Sequence, residues 1–417
     1  MGSSVHCDTR KQAAHEREPP LSNASIGYCT IVASNYLPQA LALFQSVQLQ
    51  EPGRPFTLLV IDADWRELES KYPGLTVVGR EYLDLTTRQW DELATIYDVV
   101  ELSTAVKPRL LSKLLVDMER VAYLDPDMWV VSPLRELPEL LDEHGLVLTP
   151  HFLEPIPPDS AVISEVHSLT VGVHNLGFCA VSRSQQEFLD WWWSHLKREC
   201  LIYPLLGLFV DQKWTDIGAN LFHAHSLQHY GYNIGPWNLH ERQITQDQTG
   251  YHVGTSADSL RLLHFSGFDP ADPEAISERL NQDLRSIGGR TPAFAELSQL
   301  YAGYVQGAQA DLGPLPTYGY ARDSSGKALS KRLRRTYRAA LLHEGPPPPS
   351  AFASEERAEF ATWRRRSFKS RAAITASDLA LAAKYALPDE FAAFKKRAPD
   401  DFKRLRSRLL GAGKVRR

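Results

Sequence analysis

Short apolar runs, separated by segments with a helical pattern, constrain the fold of this chain more than any other feature. Residues 28–33, 56–61 and 75–78 are apolar runs with the length of buried strands. A helical segment at residues 39–49 follows the first run, with Pro38 at a position near the first turn that proline tolerates. A strand, a helix and a further strand in this order form a parallel sheet with crossover helices. The sequence therefore predicts an α/β fold.

Two carboxylates, Asp125 and Asp127, lie between two further apolar runs at residues 121–124 and 128–131. Residues i and i+2 of a strand point to the same side, so both side chains can converge where the strand ends. Converging carboxylates repel each other unless a cation lies between them, and oxygen ligands suit Mg²⁺ or Mn²⁺. Because such an ion commonly also binds substrate phosphates, the pair indicates an enzyme that acts on a diphosphate. Two acidic residues separated by one residue are common on solvated surfaces. The apolar runs on both sides distinguish the pair Asp125 and Asp127 from such surface pairs.

Polar residues also follow the first predicted strand. In open α/β sheets, ligands bind beyond the carboxyl ends of the strands. Ser34, Asn35 and Tyr36 fall at one such end and Asp125 and Asp127 at another, so one cleft can hold both groups. Asn35 is equally suited to a turn before the helix, and both roles stay open.

The segment Tyr123-Leu-Asp125-Pro-Asp127 resembles the DxD motif of nucleotide-sugar glycosyltransferases, specifically the retaining glycogenin/galactosyltransferase-like (family 8-like) group. Five further segments resemble elements of that group and follow in the same order within residues 28–270. They are Ala105-Val-Lys107-Pro-Arg109-Leu-Leu, His174-Asn175-Leu-Gly177-Phe, Asp211-Gln212, Tyr232-Asn-Ile-Gly-Pro-Trp237-Asn238 and His264-Phe-Ser-Gly267. The resemblance implies a GT-A fold, a Rossmann-like open mixed sheet flanked by helices.

The resemblance also implies roles for the matching residues. Asp125, Asp127 and His264 would bind Mn²⁺ or Mg²⁺, and the imidazole nitrogen shifts the preference towards Mn²⁺. Asp127, Asp211 and Gln212 would be the catalytic residues, with Gln212 near the anomeric carbon. The implied nucleotide-sugar contacts are Ser34, Asn35, Tyr36, Lys107, Asp125, Asn175 and Gly267.

The implied reaction moves a hexose from a nucleotide diphosphate-sugar, with UDP-sugar as the expected donor, to a glycan or glycolipid acceptor with retention. A divalent metal would stabilise the charge on the leaving diphosphate as a Lewis acid. The chain departs from the family at Gly267-Phe-Asp269-Pro270, where relatives carry a lysine that contacts the diphosphate. Another cationic group must then contact the diphosphate, or the protein holds the donor in a different way.

Two other functions fit parts of the sequence. A sugar-phosphate nucleotidyltransferase shares an open α/β sheet and metal-binding carboxylates. It should carry a glycine-rich basic loop after the first strand, and residues 33–38 contain neither glycine nor arginine. A non-enzymatic module that binds anionic surfaces through a basic region would leave the carboxylate pair unexplained.

Charge is distributed unevenly along the chain. Residues 327–417 carry 23 Lys and Arg against 9 Asp and Glu, whereas the remainder carries 23 against 41. A basic C-terminal region on an acidic body predicts an anionic partner, either a membrane surface or a nucleic acid. Trp363 and Phe368 flank the arginine run 364–366, which favours interfacial membrane contact over nucleic acid and is consistent with a lipid-linked acceptor. The same run is equally compatible with a solvated helix face.

Composition sets the remaining expectations. Four cysteines share no metal-like or disulfide spacing, which fits reduced thiols in a cytosol. No apolar run approaches the ~20 residues of a membrane span, and residues 1–21 do not resemble a signal peptide. We expect a bacterial protein of the cytoplasm or the inner membrane face. Its expected parts are a flexible tail at residues 1–25, a catalytic domain at 26–285 and a helical, basic C-terminal region at 286–417.

Three consecutive tryptophans occupy residues 191–193. Trp191-Trp-Trp193 offers a surface on which a sugar could stack, but it lies between Phe188 and Leu196 in a segment that we expect to be helical. At least one of the three rings must face the core on such a helix. The sequence therefore predicts core packing.

Overall fold

The computed structural model describes residues 26–157, 164–254, 258–275, 277, 291–343 and 345–397. The strands are β1 (Ile26–Val32), β2 (Phe56–Val60), β3 (Leu75–Val78), β4 (Arg120–Leu124), β5 (Met128–Val130), β6 (Leu146–Pro150), β7 (His174–Ser182), β8 (Ile202–Tyr203), β9 (Leu208–Phe209), β10 (His225–Ser226), β11 (Ile244–Asp247), β12 (Gly250–Val253), β13 (Asp258–Ser259) and β14 (Leu262–His264). The tail predicted at residues 1–25 lies outside the described residues.

The helices alternate with the strands in the first half of the chain and dominate the second. The α-helices are α1 (Leu37–Gln50), α2 (Leu68–Lys71), α3 (Thr87–Ile96), α4 (Val99–Ala105), α5 (Lys107–Leu114), α6 (Leu137–His144), α7 (Glu165–Val171), α8 (Gln186–Glu199), α9 (Gln212–Leu221), α10 (Pro292–Leu312), α11 (Lys331–Leu342), α12 (Arg357–Arg366), α13 (Phe368–Ala386) and α14 (Pro388–Arg397). Short 3₁₀ helices occupy Ser34–Tyr36, Arg80–Leu83, Arg183–Gln185 and Pro204–Leu206. No described helix is long and apolar enough to cross a membrane.

A seven-stranded sheet with the order β10-β6-β7-β4-β1-β2-β3 forms the centre of the protein. Strand β1 pairs in parallel with β2 and β4, and β2 pairs in parallel with β3. Strand β7 runs antiparallel to both of its neighbours, β4 and β6. The predicted α/β fold with an open mixed sheet flanked by helices is confirmed.

Both faces of the sheet are covered, which explains why its strands are continuous apolar runs. All seven residues of β1 are buried. Cys29 and Ile31 pack into a cluster with α3, α4, α5 and α8, whereas Tyr28 and Val32 pack into a second cluster with α1 and α6. Successive strand residues point to opposite faces, so a strand covered on both sides has no polar face.

The tryptophan run on α8 contributes to the first of these clusters. Trp192 is fully buried and stacks on Phe188 with 5.2 Å between the ring centroids. Trp191 and Trp193 are partly buried against the same cluster. The predicted core packing is confirmed.

The helices after residue 290 differ in how they pack against the rest of the protein. On α10, Leu297 and Tyr301 are buried in a third cluster with Trp129 and Phe265. On α11, the buried guanidinium of Arg334 donates to backbone carbonyls at the end of α3, including that of Tyr97 at 2.6 Å. By contrast, α13 buries none of its residues. The predicted helical C-terminal region is present, and its predicted boundary at residues 285–286 falls outside the described part of the chain.

Candidate active site

Asp125, Asp127 and His264 converge at the carboxyl end of β4. The turn after β4 is closed by a hydrogen bond from the Met128 amide to the Asp125 carbonyl oxygen at 3.0 Å. Strand β14 pairs antiparallel with β5 and places His264 opposite Met128. His264 Nε2 then lies 3.2 Å from Asp127 Oδ1 and 3.9 Å from Asp125 Oδ2. One ligand atom from each residue lies within 4.8 Å of the others.

The chemistry of this cluster fits a divalent cation. Two carboxylates and an imidazole suit Mn²⁺, whereas Mg²⁺ prefers oxygen ligands alone. The side chains of His264 and Asp127 are 5% and 9% exposed, and that of Asp125 is 32% exposed. Two carboxylates this close and this shielded repel each other strongly unless a positive charge compensates them. Asp125, Asp127 and His264 would therefore hold the cation, with the open side of the site at Asp125.

A tyrosine orients each carboxylate. The hydroxyl of Tyr123 donates to Asp125 Oδ1 at 2.7 Å, and the hydroxyl of Tyr36 donates to Asp127 Oδ2 at 3.4 Å. The other oxygen of each carboxylate, Oδ2 of Asp125 and Oδ1 of Asp127, is the one that faces His264. Burial, followed by the negative charge of Asp125, raises the pKa of Tyr123 well above its usual value, so this phenol stays a donor.

Gly177 permits the close approach of His264 to the sheet. A Cβ atom at this position would lie 2.5 Å from His264 Cε1 and 2.8 Å from His264 Nδ1. The backbone of Gly177 also accepts a hydrogen bond from the Asp125 amide at 2.7 Å. Gly267 lies in the turn after His264 with a φ of 71°, a conformation that glycine adopts without strain. Gly177 and Gly267, two of the three glycines in the matched segments, therefore each have a structural reason.

Lys107 and Asp211 form a buried ion pair beside the cluster. Lys107 Nζ donates to Asp211 Oδ2 and to the Leu176 carbonyl oxygen, both at 2.7 Å, and lies 4.2 Å from the centre of the Tyr123 ring. Burial alone would lower the pKa of Lys107, but the charges of Asp211 and Asp125 more than offset it, and the pKa is raised. Lys107 is therefore charged, and its first partner is Asp211.

Asp211 is the N-cap residue of α9, which begins at Gln212, and it directly follows a strained residue. Val210 has a φ of 39°, which is a genuine outlier for a β-branched side chain. Such strain persists only where the surrounding structure imposes it, and it concentrates at functional sites. Gln212 donates from Nε2 to the Val171 carbonyl oxygen at 3.1 Å, so its side chain is held beside the end of α7.

Asn175 belongs to a buried polar network that extends to His264. Its Oδ1 accepts from the Gly177 amide at 3.0 Å and from Asn233 Nδ2 at 3.1 Å. Its Nδ2 lies 3.3 Å from His151 Nε2. Burial lowers the pKa of His151 to about 4, so this imidazole is neutral and accepts from Asn175. Asn233 and His151 were not predicted as site residues; Asn233 lies inside a matched segment, and His151 directly follows β6.

The end of β1 is organised around Asp62. Asp62 Oδ1 accepts from the backbone amide and the hydroxyl of Ser34, at 2.8 and 2.7 Å. Trp65 Nε1 donates to the same hydroxyl at 2.9 Å. Ser34 is fully buried, whereas Asn35 is exposed. Tyr36 is thus the residue of this predicted group that the structure brings to the carboxylate cluster, and Ser34 instead positions Asp62 and Trp65.

Comparison with known proteins gives distant similarities. No protein-family model matches the chain. The uncharacterized protein YfnF of Bacillus subtilis (strain 168) is 28% identical over 257 residues, which cover 58% of this chain and 81% of YfnF. At this identity the similarity does not by itself define a family.

Two solved structures are also similar to this chain. The apo WbbM bifunctional glycosyltransferase is 15% identical with a TM-score of 0.31, and the match covers 50% of this chain and 40% of that one. The galactosyltransferase LgtC in complex with donor and acceptor sugar analogues is 15% identical with a TM-score of 0.36, covering 66% of this chain and 95% of that one. At such TM-scores, function has to be inferred from the site itself.

Proposed function

We propose that the protein is a metal-dependent glycosyltransferase of GT-A fold that moves a hexose from a nucleotide diphosphate-sugar to a glycan or glycolipid acceptor. The observation that carries this proposal is the convergence of Asp125, Asp127 and His264 at the carboxyl end of β4. That end of an open α/β sheet is where ligands bind. A divalent ion held by three protein ligands keeps further positions for phosphate oxygens. The order of the matched segments supports the same class.

The residues around the cluster have separable roles in this proposal. A bound Mn²⁺ would supply Lewis-acid stabilisation of the diphosphate leaving group. Tyr36 and Tyr123 orient the two carboxylates. Asp211, held by Lys107, would accept a hydrogen bond from a donor hydroxyl, which fixes the sugar relative to the cluster. Pre-positioning of this kind lowers the barrier because little reorganisation is left for the reaction.

The stereochemistry and the donor are proposed from the motif order. Gln212 would lie near the anomeric carbon, and because an amide is a poor nucleophile, a stable covalent adduct is not expected. Retention would then follow from attack on the same face as the leaving group, with the diphosphate accepting the proton of the acceptor. Tyr36 and Asn35 would contact the nucleoside, and UDP is the nucleotide to test first.

Nucleotide binding by calorimetry tests this function. UDP and GDP are titrated into wild type, Asp127→Asn and Asp64→Asn, with Mn²⁺ or with a chelator. Asp64 is the matched control because it belongs to a second Asp-x-Asp triplet with a 67% exposed side chain. We expect Mn²⁺-dependent UDP binding in wild type and Asp64→Asn, and its loss in Asp127→Asn. A folded wild type that binds neither nucleotide would overturn the proposal.

We further propose that an anionic membrane surface is the partner of the C-terminal helices. Helix α13 exposes Phe368 (67%), Leu379 (66%) and Tyr385 (68%) to solvent. A groove of about 1020 Å³ between α11, α12 and α13 adds apolar surface that includes Trp363 and Ile374. The exposed basic side chains on these helices include Arg365, Arg366, Lys369 and Lys384. Apolar side chains flanked by basic ones bind the interface of anionic bilayers.

Vesicle sedimentation tests the membrane proposal. We expect binding to vesicles with phosphatidylglycerol and not to phosphatidylcholine alone. The double variant Phe368→Ser/Leu379→Ser should reduce binding at least several-fold, whereas Leu300→Ser, on an exposed position of α10, should not. Equal binding to both vesicle types, or self-association in place of binding, would count against an anionic surface as the partner.

A further inference from the structure

We infer that Asn233 is a positioning residue that fixes the tautomer and the orientation of His264, so that Nε2 presents its lone pair to the metal. This inference rests on the proposed metal site. Asn233 Oδ1 lies 3.0 Å from His264 Nδ1, on the side of the imidazole opposite to the two carboxylates. A ligand histidine commonly has such a partner on its other nitrogen, and that partner sets which nitrogen is protonated.

The position of the proton on the His264 imidazole follows from a chain of hydrogen bonds that begins at the backbone amide of Gly177. The amide of Gly177 can only donate, so the atom of Asn175 that it contacts at 3.0 Å is the oxygen Oδ1. This oxygen can only accept, so the atom of Asn233 that contacts it at 3.1 Å is the amide nitrogen Nδ2. The remaining terminal atom of Asn233 is therefore an oxygen, and His264 Nδ1 must donate to it. The lone pair of His264 is then on Nε2.

A second contact supports the orientation of the Asn233 amide. Nδ2 lies 3.3 Å from the backbone carbonyl oxygen of Asn175, which also can only accept, and 2.8 Å from the Thr149 hydroxyl. A rotated amide would place its oxygen against two acceptors. Because Asn233 is 1% exposed, water cannot relieve that repulsion.

The backbone holds Asn233 and His264 in fixed positions relative to each other. Ile234 donates to the Leu262 carbonyl oxygen at 3.0 Å and accepts from the His264 amide at 2.7 Å. Asn233 itself has a φ of 53°, a left-handed conformation that asparagine and glycine tolerate better than other residues. The residue at this position therefore needs both a permitted backbone and a side-chain acceptor. Asparagine meets both requirements, whereas glycine meets only the first.

Three variants separate positioning from a purely structural role. Asn233→Gly keeps the backbone conformation and removes the acceptor. Asn233→Asp keeps an acceptor oxygen for His264 Nδ1 but loses the donor to Asn175. Thr149→Val removes a different partner of Asn233 and leaves its oxygen in place. Thermal unfolding of each variant establishes that it is folded.

The first readout is the affinity for Mn²⁺ alone, measured by calorimetry without nucleotide. We expect Asn233→Gly to bind Mn²⁺ about 10- to 100-fold more weakly, as is typical when the partner of a ligand histidine is lost. Thr149→Val should match wild type, and Asn233→Asp should fall between the two. Wild type that binds no Mn²⁺ would overturn the proposed function, whereas equal Mn²⁺ affinity in wild type and Asn233→Gly would overturn only the role of Asn233.

The second readout is the tautomer of His264 in the metal-free protein. Nitrogen-15 NMR of histidine-labelled protein distinguishes the two neutral tautomers, and the signals of His264 are identified by their loss in His264→Gln. At a pH where the imidazole is neutral, wild type should show the proton on Nδ1, and Asn233→Gly should show a mixture. A structural role alone would not change this ratio, so an unchanged tautomer in Asn233→Gly contradicts the inference independently of metal binding.

Discussion

Lys107 and Asp211 form an ion pair of 2.7 Å with side chains only 3% and 2% exposed, although they lie 104 residues apart. Lys107 begins α5 and Asp211 precedes α9, so the pair joins the two helices beside the carboxylate cluster. A buried pair of this kind contributes modestly as a pair, but removal of one partner leaves an uncompensated charge in the interior.

The first prediction concerns the stability of this pair. Lys107→Met should lower the free energy of unfolding by about 3–5 kcal/mol, since Asp211 would lose its counter-charge. The double variant Lys107→Met/Asp211→Asn should be more stable than Lys107→Met, because neither charge is left buried. Urea unfolding measures both. If the second substitution lowers stability further, the two charges are not coupled as the structure indicates.

The second prediction compares the two tyrosines that orient the carboxylates. Tyr123→Phe should weaken Mn²⁺-dependent UDP binding more than Tyr36→Phe, because the Tyr123 bond to Asp125 is 2.7 Å long and the Tyr36 bond to Asp127 is 3.4 Å. A hydrogen bond to a charged group contributes about 1.5–3 kcal/mol, and this sets the upper limit of the binding free energy that Tyr123→Phe should lose. Calorimetry of each variant gives the order, and the reverse order would refute it.

The third prediction is a pH dependence of stability. His151 has its pKa lowered by burial from 6.5 to about 4, so the folded state holds the neutral imidazole. As the pH falls from about 6.5 towards 4, the unfolded chain binds a proton that the folded protein does not, and stability declines. The contribution is fully present above pH 6.5 and amounts to about 3 kcal/mol. Urea unfolding of wild type and His151→Gln at a series of pH values should show a shallower decline in the variant; parallel curves would exclude His151 as the cause.

The fourth prediction uses two glycines. Gly177→Ala should weaken Mn²⁺ binding about 10-fold or more, because the added methyl group would displace His264, and losses of this size follow misplacement of a ligand histidine. Gly303→Ala is the control, since nothing lies within 4 Å of its Cβ position on the exposed side of α10. It should leave binding unchanged and raise the free energy of unfolding by about 0.5–1 kcal/mol. Metal titration and urea unfolding on the same samples decide both; unchanged binding in Gly177→Ala would show that His264 can shift without loss.

The strands and the carboxylate cluster were accessible from the sequence because each leaves a local pattern. Strand β1 is a continuous apolar run, and Asp125 and Asp127 interrupt two such runs. The direction of β7 could not be predicted, since the sequence of a strand buried on both faces is equally apolar in a parallel and an antiparallel sheet. His264 required the resemblance to a family, because its contact with Asp127 arises from the pairing of β14 with β5.

Pairings between distant side chains were the part that sequence patterns could not give. Lys107 was predicted as a nucleotide-sugar contact and Asp211 as a catalytic residue, and nothing in either segment indicates that they bind each other. Ser34 was predicted as a nucleotide-sugar contact, and nothing in its segment indicates that its hydroxyl donates to Asp62. Asn233 and His151 belong to a network of neutral groups, and such groups carry no charge pattern that would reveal their partners.

The contact of Arg334 with the end of α3 has a consequence for the way the protein is made. The guanidinium satisfies carbonyl groups, including those of Ala94 and Tyr97, that are otherwise buried. During synthesis, the hydrogen bond to the Tyr97 carbonyl cannot form until more than 230 further residues have been added, since Arg334 lies 237 positions after Tyr97. The end of α3 is therefore among the last parts of the protein to reach its final form, and a chain that stops before α11 would leave it open to proteases.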